Sequence, residues 1–296
     1  MRKYIILIVA LLINLCMGAA YSWSTFVPAL KESYGLTIAQ TQVIFGTGSL
    51  AATILIFLGG RIQDRFGPRI PAFLGGILFG ASYIMAGYSS GSYQALLLFI
   101  GILAPAGVGL CYLAPISCAV KWFPDHKSLA TGIAVAGYGG SAIIISQLGE
   151  HLLARQLDVL SIFRYLGFGF IGILAVTTLF LNNPPRAAND QDLPTKINTL
   201  SLFKDRKFLG LLCGIFPGLC AGLMVIGNVK PFGLSLNIGA AVAGAAVTIL
   251  ALFNTCGRLI WGFLGSVLEG KKAILISLVS TAFVILAAPF AINSSA

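Results

Sequence analysis

Charge is what this sequence has least of. Of 296 residues only 9% are Asp, Glu, Lys or Arg, where a soluble domain carries about a quarter. Nine residues are acidic and two are His. His126 and His151 have no nearby Ser, Cys or paired carboxylate that would suggest hydrolysis, and neither H-E-x-x-H nor G-x-x-x-x-G-K-[ST] occurs. "GTG" at 46–48 is half of a dinucleotide motif with no strand before it, and reads as helix packing. Enzymatic work, a metal and a bound cofactor are not expected. Period-two alternation is also missing, which argues against a membrane barrel. Cysteine pairing is missing too. Cys16, Cys111, Cys118, Cys213, Cys220 and Cys256 all fall inside apolar runs without a C-x-x-C partner, and read as small packing residues.

What is present is apolar: 57% hydrophobic residues and 35 glycines. Nine segments reach the roughly 20 helical residues needed to cross about 30 Å of hydrocarbon. They run approximately 4–28, 38–60, 69–88, 93–120, 128–150, 161–182, 207–229, 238–266 and 271–292. "MRKYIILIVALLINLCMGAA" imitates a signal peptide. The apolar run continues through "YSWSTFVPAL", so it reads as a retained first span.

The net charge is +10. The cations sit in short loops between spans, which points to membrane orientation and away from nucleic acid. With the N-terminus inside, only Lys31, Arg155, Arg164 and Lys230 fall on the outer side, and Arg258 falls within a span. The remaining Lys and Arg, among them Arg2, Lys3, Arg61, Lys121, Lys127, Arg186, Lys196 and Lys207, line the inner loops. The expectation is a multi-pass protein of the cell (inner) membrane with a cytoplasmic N-terminus. The polar stretch "NNPPRAANDQDLPTKINTLSLFKDRK", 182–207, divides the spans into six and three. This predicts units 1–182 and 207–296 joined by a linker, 183–206.

"GGRIQDRFGPRI", 59–70, stands where the second span ends. Gly60 permits close approach of a neighbouring helix. Asp64 can accept from Arg65 or a helix N-terminus. Gly67 and Pro68 make the turn, and Arg69 follows. The spacing G-x-x-x-D-R-x-G-x-R resembles the signature loop between helices 2 and 3 of the major facilitator superfamily. The resemblance implies a charged latch that helps hold the outward-open state. Adding 202 to each number maps Gly60 onto Gly262 and Arg69 onto Lys271, while Asp64 and Arg65 become Ser266 and Val267. A degraded second copy fits the parallel repeat of that fold.

Further stretches are similar to the oxalate/formate antiporter branch: "GAAYSWSTFVPAL", "KWFPDHKSLATGIAVAGYGGS" with its W-F-P-D-x-x-x-x-A-T-G run, and "FNTCGRLIWGF". The resemblance implies an all-α integral membrane protein of the major facilitator fold. It has a six-helix N-terminal bundle and about three helices of an incomplete C-terminal bundle. The family has twelve helices, so the chain reads as C-terminally truncated, without the helix-11 lysine. The function implied is exchange of small carboxylates by alternating access, carried out in the lipid bilayer by a monomer. The rival readings are a monocarboxylate carrier of the same superfamily and a non-transporting remnant.

Arg258 is the residue on which the anion reading turns. It lies about two turns from the cytoplasmic end of its span, and a charged side chain within the membrane is costly. Its repeat partner is Ile56, so the repeat does not require a cation. Either the side chain snorkels to the inner interface, or it faces a wet cavity and binds a carboxylate bidentately. The resemblance also puts the family's helix-8 substrate arginine here. Tyr21, Trp23, Tyr112 and Tyr138 are candidate walls and donors for the same anion. Asn254, one turn from Arg258, either orients it or touches substrate. Lys230 reads as interfacial or as an attractor of anions at the outer mouth. The first six spans carry no buried acid except Glu150. Proton relays usually need such groups, so exchange is favoured over proton symport.

Overall fold

The structure is a computed structural model that describes residues 2–185, 203–268 and 270–293. Arg186, Lys196 and most of the expected linker 183–206 therefore lie outside the described residues. Among the described residues, nine long helical segments succeed one another: α1 Arg2–Tyr34, α2 Ile38–Phe66, α3 Arg69–Ala86, α4 Tyr93–Trp122, α5 Pro124–Ala154, α6 Val159–Leu179, α7 Arg206–Ser235, α8 Ala240–Val267 and α9 Gly270–Asn293. The first eight are long and apolar enough to cross a membrane. No strand occurs among the described residues.

Helix ends obey local chemistry. Thr37 and Gln40 form a reciprocal capping box at the start of α2. Asp158 and Asp205 cap α6 and α7 by accepting from the backbone N–H groups of Ser161 and Lys207. Gly67 ends α2 with φ +80°, a conformation open to glycine.

Small residues set the helix spacing, as expected where lipid tails compete with side chains for apolar contact. A Cβ on Gly59 would come within 2.8 Å of the carbonyl oxygens of Gly109 and Leu110 in α4. The close approach therefore falls on Gly59, not on Gly60, where an added Cβ would make only ordinary contact with Leu113. Gly80 and Gly167 bring α3 and α6 together in the same way. Between these backbones Phe26, Phe79, Tyr83, Phe163 and Phe170 stack edge-on or tilted, with centroids 5.0–5.8 Å apart.

Two helices are irregular near the centre of the bundle. In α1, residues Gly18–Ser22 tighten into a 3₁₀ turn where Gly18 presses against Tyr138 and Ser141 of α5. In α4, a π-helical stretch Leu97–Leu103 leads into Pro105, and the helix is interrupted again at Tyr112, three residues before Pro115. Proline has no N–H for the carbonyl four residues earlier, so Gly101 and Cys111 lose their usual acceptor role.

The helices α7 and α8 meet the first six along α1, α2 and α5. At the basic end, where α8 leaves the bundle, Gly132 and Gly262 cross: a Cβ on Gly132 would lie 2.8 Å from Gly262 Cα. Toward the opposite end, Gln147 donates to Thr248 at 2.9 Å. There Lys230 of α7 also pairs with Glu150 of α5. Lys230 is 5% exposed. It is thus neither an interfacial snorkelling lysine nor a free cation at the mouth. Three cysteines are buried in packing as expected, whereas Cys213, Cys220 and Cys256 are exposed.

Candidate functional site

Arg258 is half-buried, and its head is held deep between the helices. Its Nε donates to Asn254 Oδ1 at 2.9 Å, and its Nη1 to the Val135 carbonyl at 3.2 Å. Its Nη2 lies 3.5 Å from the Tyr21 hydroxyl, the long end of hydrogen-bonding range. The guanidinium also faces the Tyr21 and Tyr138 rings at 6.0 and 5.9 Å. Val135 is eleven residues into α5, about 16 Å from its start at 1.5 Å per residue. The side chain therefore reaches toward the middle of the bundle, which is opposite to snorkelling.

The backbone explains how the head gets there. The Gly132–Gly262 crossing is one turn from Arg258, and the same Cβ on Gly132 would lie 2.8 Å from the Arg258 carbonyl. Two turns along α5, Gly139 leaves the room that Asn254 and Arg258 occupy. A Cβ there would stand 2.7 Å from Asn254 Oδ1 and 3.2 Å from Arg258 Nε. Tyr21 sits on the 3₁₀ turn of α1 and meets Tyr138 edge-on at 4.9 Å. Tyr112, at the interruption in α4, meets the same ring at 5.5 Å.

Arg258, Asn254, Tyr21, Tyr112 and Tyr138 line one cavity of about 460 Å³. Ala52, Thr53 and Ile56 of α2 close one side, and Gly218, Gly222 and Leu223 of α7 another. No acidic side chain lines it among the described residues. A guanidinium has five N–H donors. Three point to partners named above, which leaves two for a ligand. Asn254 Oδ1 accepts from Arg258, and its Nδ2 makes no hydrogen bond among the described residues.

Trp23 is placed elsewhere. It is 4% exposed and its Nε1 donates to the Thr41 carbonyl at 3.1 Å. It walls a second, adjoining cavity of about 200 Å³, reached past Tyr21, Ala52, Thr53, Val108, Tyr138 and Leu223. The loop 59–70 stands apart from both cavities. Its Asp64 makes no hydrogen bond or ion pair among the described residues, so the expected bond to Arg65 is not formed. The loop is tied instead through Gln63, which donates to Ser117 of α4, and Arg69, which donates to the Leu181 carbonyl at 2.8 Å. Near that carbonyl Trp122 donates to the Asn182 carbonyl at 2.7 Å.

Sequence reasoning missed three parts of the site. The Val135 carbonyl carries no side-chain signal. Gly139 was legible only as one glycine in "GYGGS". The α7 wall was visible as the small-residue spacing of Gly218 and Gly222, but nothing indicated that it faced Arg258.

The profile of the Major Facilitator Superfamily matches residues 8–296. The "Oxalate:formate antiporter" of Oxalobacter formigenes is 30% identical over 95% of this chain and 69% of its own length. The "Uncharacterized MFS-type transporter YhjX" of Escherichia coli (strain K12) is 28% identical over 93% of this chain and 69% of its own. The crystal structure of a D-xylose–proton symporter superposes with TM-score 0.63 at 16% identity, covering 88% of this chain and 68% of the symporter, and speaks to the fold alone. With a family profile spanning nearly every residue and the superfamily fold around a cavity between helices, this chain belongs to the Major Facilitator Superfamily and is a multi-pass membrane transporter, not an enzyme.

Proposed function

We propose that this transporter exchanges small organic carboxylates of the kind that oxalate and formate represent, by alternating access. The observation that carries the reading is the Arg258 head. It is a fixed cation with two N–H groups to spare, in a cavity whose described walls hold no acid. A carboxylate accepts two parallel N–H groups from one guanidinium. Tyr21 and Tyr112 add neutral donors, and Tyr138 supplies an aromatic floor. The 30% identical relative named as an oxalate:formate antiporter supports the same class.

The units behind this reading are 1–182 and 207–296, with the linker 183–206 and the N-terminus on the cytoplasmic side. The loop of Gly60, Asp64, Arg65, Gly67 and Arg69 is assigned control of the state equilibrium.

Counterflow of labelled oxalate and formate in proteoliposomes tests the site. Arg258→Gln removes the cation and the fork, and is expected to lower exchange at least ~100-fold, the scale of a lost charge-assisted pair. Arg258→Lys keeps charge without the fork and is expected to recover a minor part. Exchange that survives Arg258→Gln, in protein with unchanged elution and melting, overturns the assignment.

A further inference from the structure

The cavity beyond Tyr21 and Ala52 has no use in binding a one-carbon or two-carbon anion at Arg258. We infer that it is a tail pocket, and that the preferred substrate is a monocarboxylate with a short hydrocarbon chain, not a dicarboxylate. This rests on the carboxylate reading of Arg258. The walls of the pocket are Ile44, Phe45, Phe79, Ile100, Val108 and Leu223, with Gly48, Ser49 and Pro105 at one side. No charged residue lines it among the described residues. Its polar edges are neutral: the hydroxyls of Ser49, Tyr83 and Tyr138, and two groups that are spent internally. Trp23 Nε1 donates to the Thr41 carbonyl, and Thr53 Oγ1 donates to the Ser49 carbonyl at 2.8 Å.

A second carboxylate directed into this pocket would leave water for apolar walls without a counter-charge, which is strongly unfavourable. A hydrocarbon tail would exchange water for those walls with gain. The two cavities share Tyr21, Ala52, Thr53, Val108, Tyr138 and Leu223 as a common wall, so head and tail are held by one molecule's length. The volume of about 200 Å³ has room for a tail of up to roughly six carbons, each close to a water's share of about 30 Å³, so three or four carbons enter without crowding. The tyrosines at the junction mark the boundary between the polar and apolar parts of the ligand.

The test is competition against labelled counterflow in proteoliposomes by formate, acetate, propionate, butyrate, valerate and oxalate. The expected result is about four-fold tighter competition per added methylene up to butyrate or valerate, with oxalate behind butyrate. Ser49→Leu, which fills the pocket from α2, is expected to lower the butyrate-to-formate preference at least ~10-fold, the equivalent of losing two methylene contacts. A flat series, or oxalate ahead of butyrate in the unaltered protein, overturns the tail pocket while leaving the carboxylate site standing. If no carboxylate competes, the carboxylate reading fails and the tail pocket falls with it. The series on the unaltered protein decides even if Ser49→Leu does not fold.

Discussion

At the scale of single residues, the chemistry depends on how Arg258 is aimed. Its charge is permanent, so what the protein controls is direction. Asn254 takes the Nε proton, the Val135 carbonyl takes one from Nη1, and the tyrosines flank the plane. Gly139 is a positioning residue that acts only through these partners. Gly139→Ala would place a methyl 2.7 Å from Asn254 Oδ1, forcing the pair to shift by several tenths of an ångström. Exchange is expected to fall about ten-fold, since displacement of a binding group by a fraction of an ångström is costly. Asn254→Ala on the same background should add little, because both changes remove one interaction. Additive losses in the double variant would show that Gly139 acts by another route.

At the scale of helices, close crossings depend on missing side chains. The α5–α8 crossing rests on Gly132 against Gly262, and each backbone occupies the other's Cβ position. Gly262→Leu is expected to push α8 away from α5, lower the melting temperature in detergent by several degrees and weaken exchange. The loss belongs to overpacking, typically about 1–3 kcal/mol. Gly60→Ala is expected to be nearly silent in the same assay, because the added Cβ meets only Leu113 at 3.6 Å. A large loss at Gly60 would contradict the packing of α2 on α4 through Gly59. The irregular turns in α1 and α4 serve the same purpose by another means. They carry Tyr21 and Tyr112, whose rings both meet that of Tyr138 edge-on.

At the scale of the whole molecule, the parts that must separate are joined at both ends of α5. Gln147 and Thr248, with Glu150 and Lys230, hold the end opposite to the basic loops. Gly132 and Gly262 hold the basic end. The proposed alternating access requires at least one of these contacts to open. A disulfide between Gln147→Cys and Thr248→Cys, in a background where Cys213, Cys220 and Cys256 are Ser, is expected to stop exchange. Dithiothreitol should restore it. Full exchange in the oxidised protein would place the moving contact elsewhere. Glu150→Gln should be destabilising by about 3 kcal/mol, because it strands the Lys230 ammonium, whose side chain is only 6% exposed, without a counter-charge. In thermal melts, the double change Lys230→Met with Glu150→Gln should recover most of that.

Composition and periodicity alone determined much of this protein. Nine percent charge and repeated apolar runs of about 20 residues leave helices as the structure that satisfies its own backbone in lipid. The isolation of Arg258 in an apolar run marked it as a candidate before any contact was visible. Tyr21, Tyr112 and Tyr138 were legible for a similar reason, as polar rings in glycine-rich helices. Tertiary structure alone decided which of these meet. Trp23 is two residues from Tyr21, yet its N–H is spent on Thr41 and it faces the adjoining cavity. Lys230 had the same residue-level signature as an outer cation, and its partner Glu150 lies 80 residues away in the chain. Side-chain type reports what a residue can bind. Which donors are already spent, and which cavity remains, depends on backbones from distant segments meeting at glycines, and no local pattern encodes that meeting.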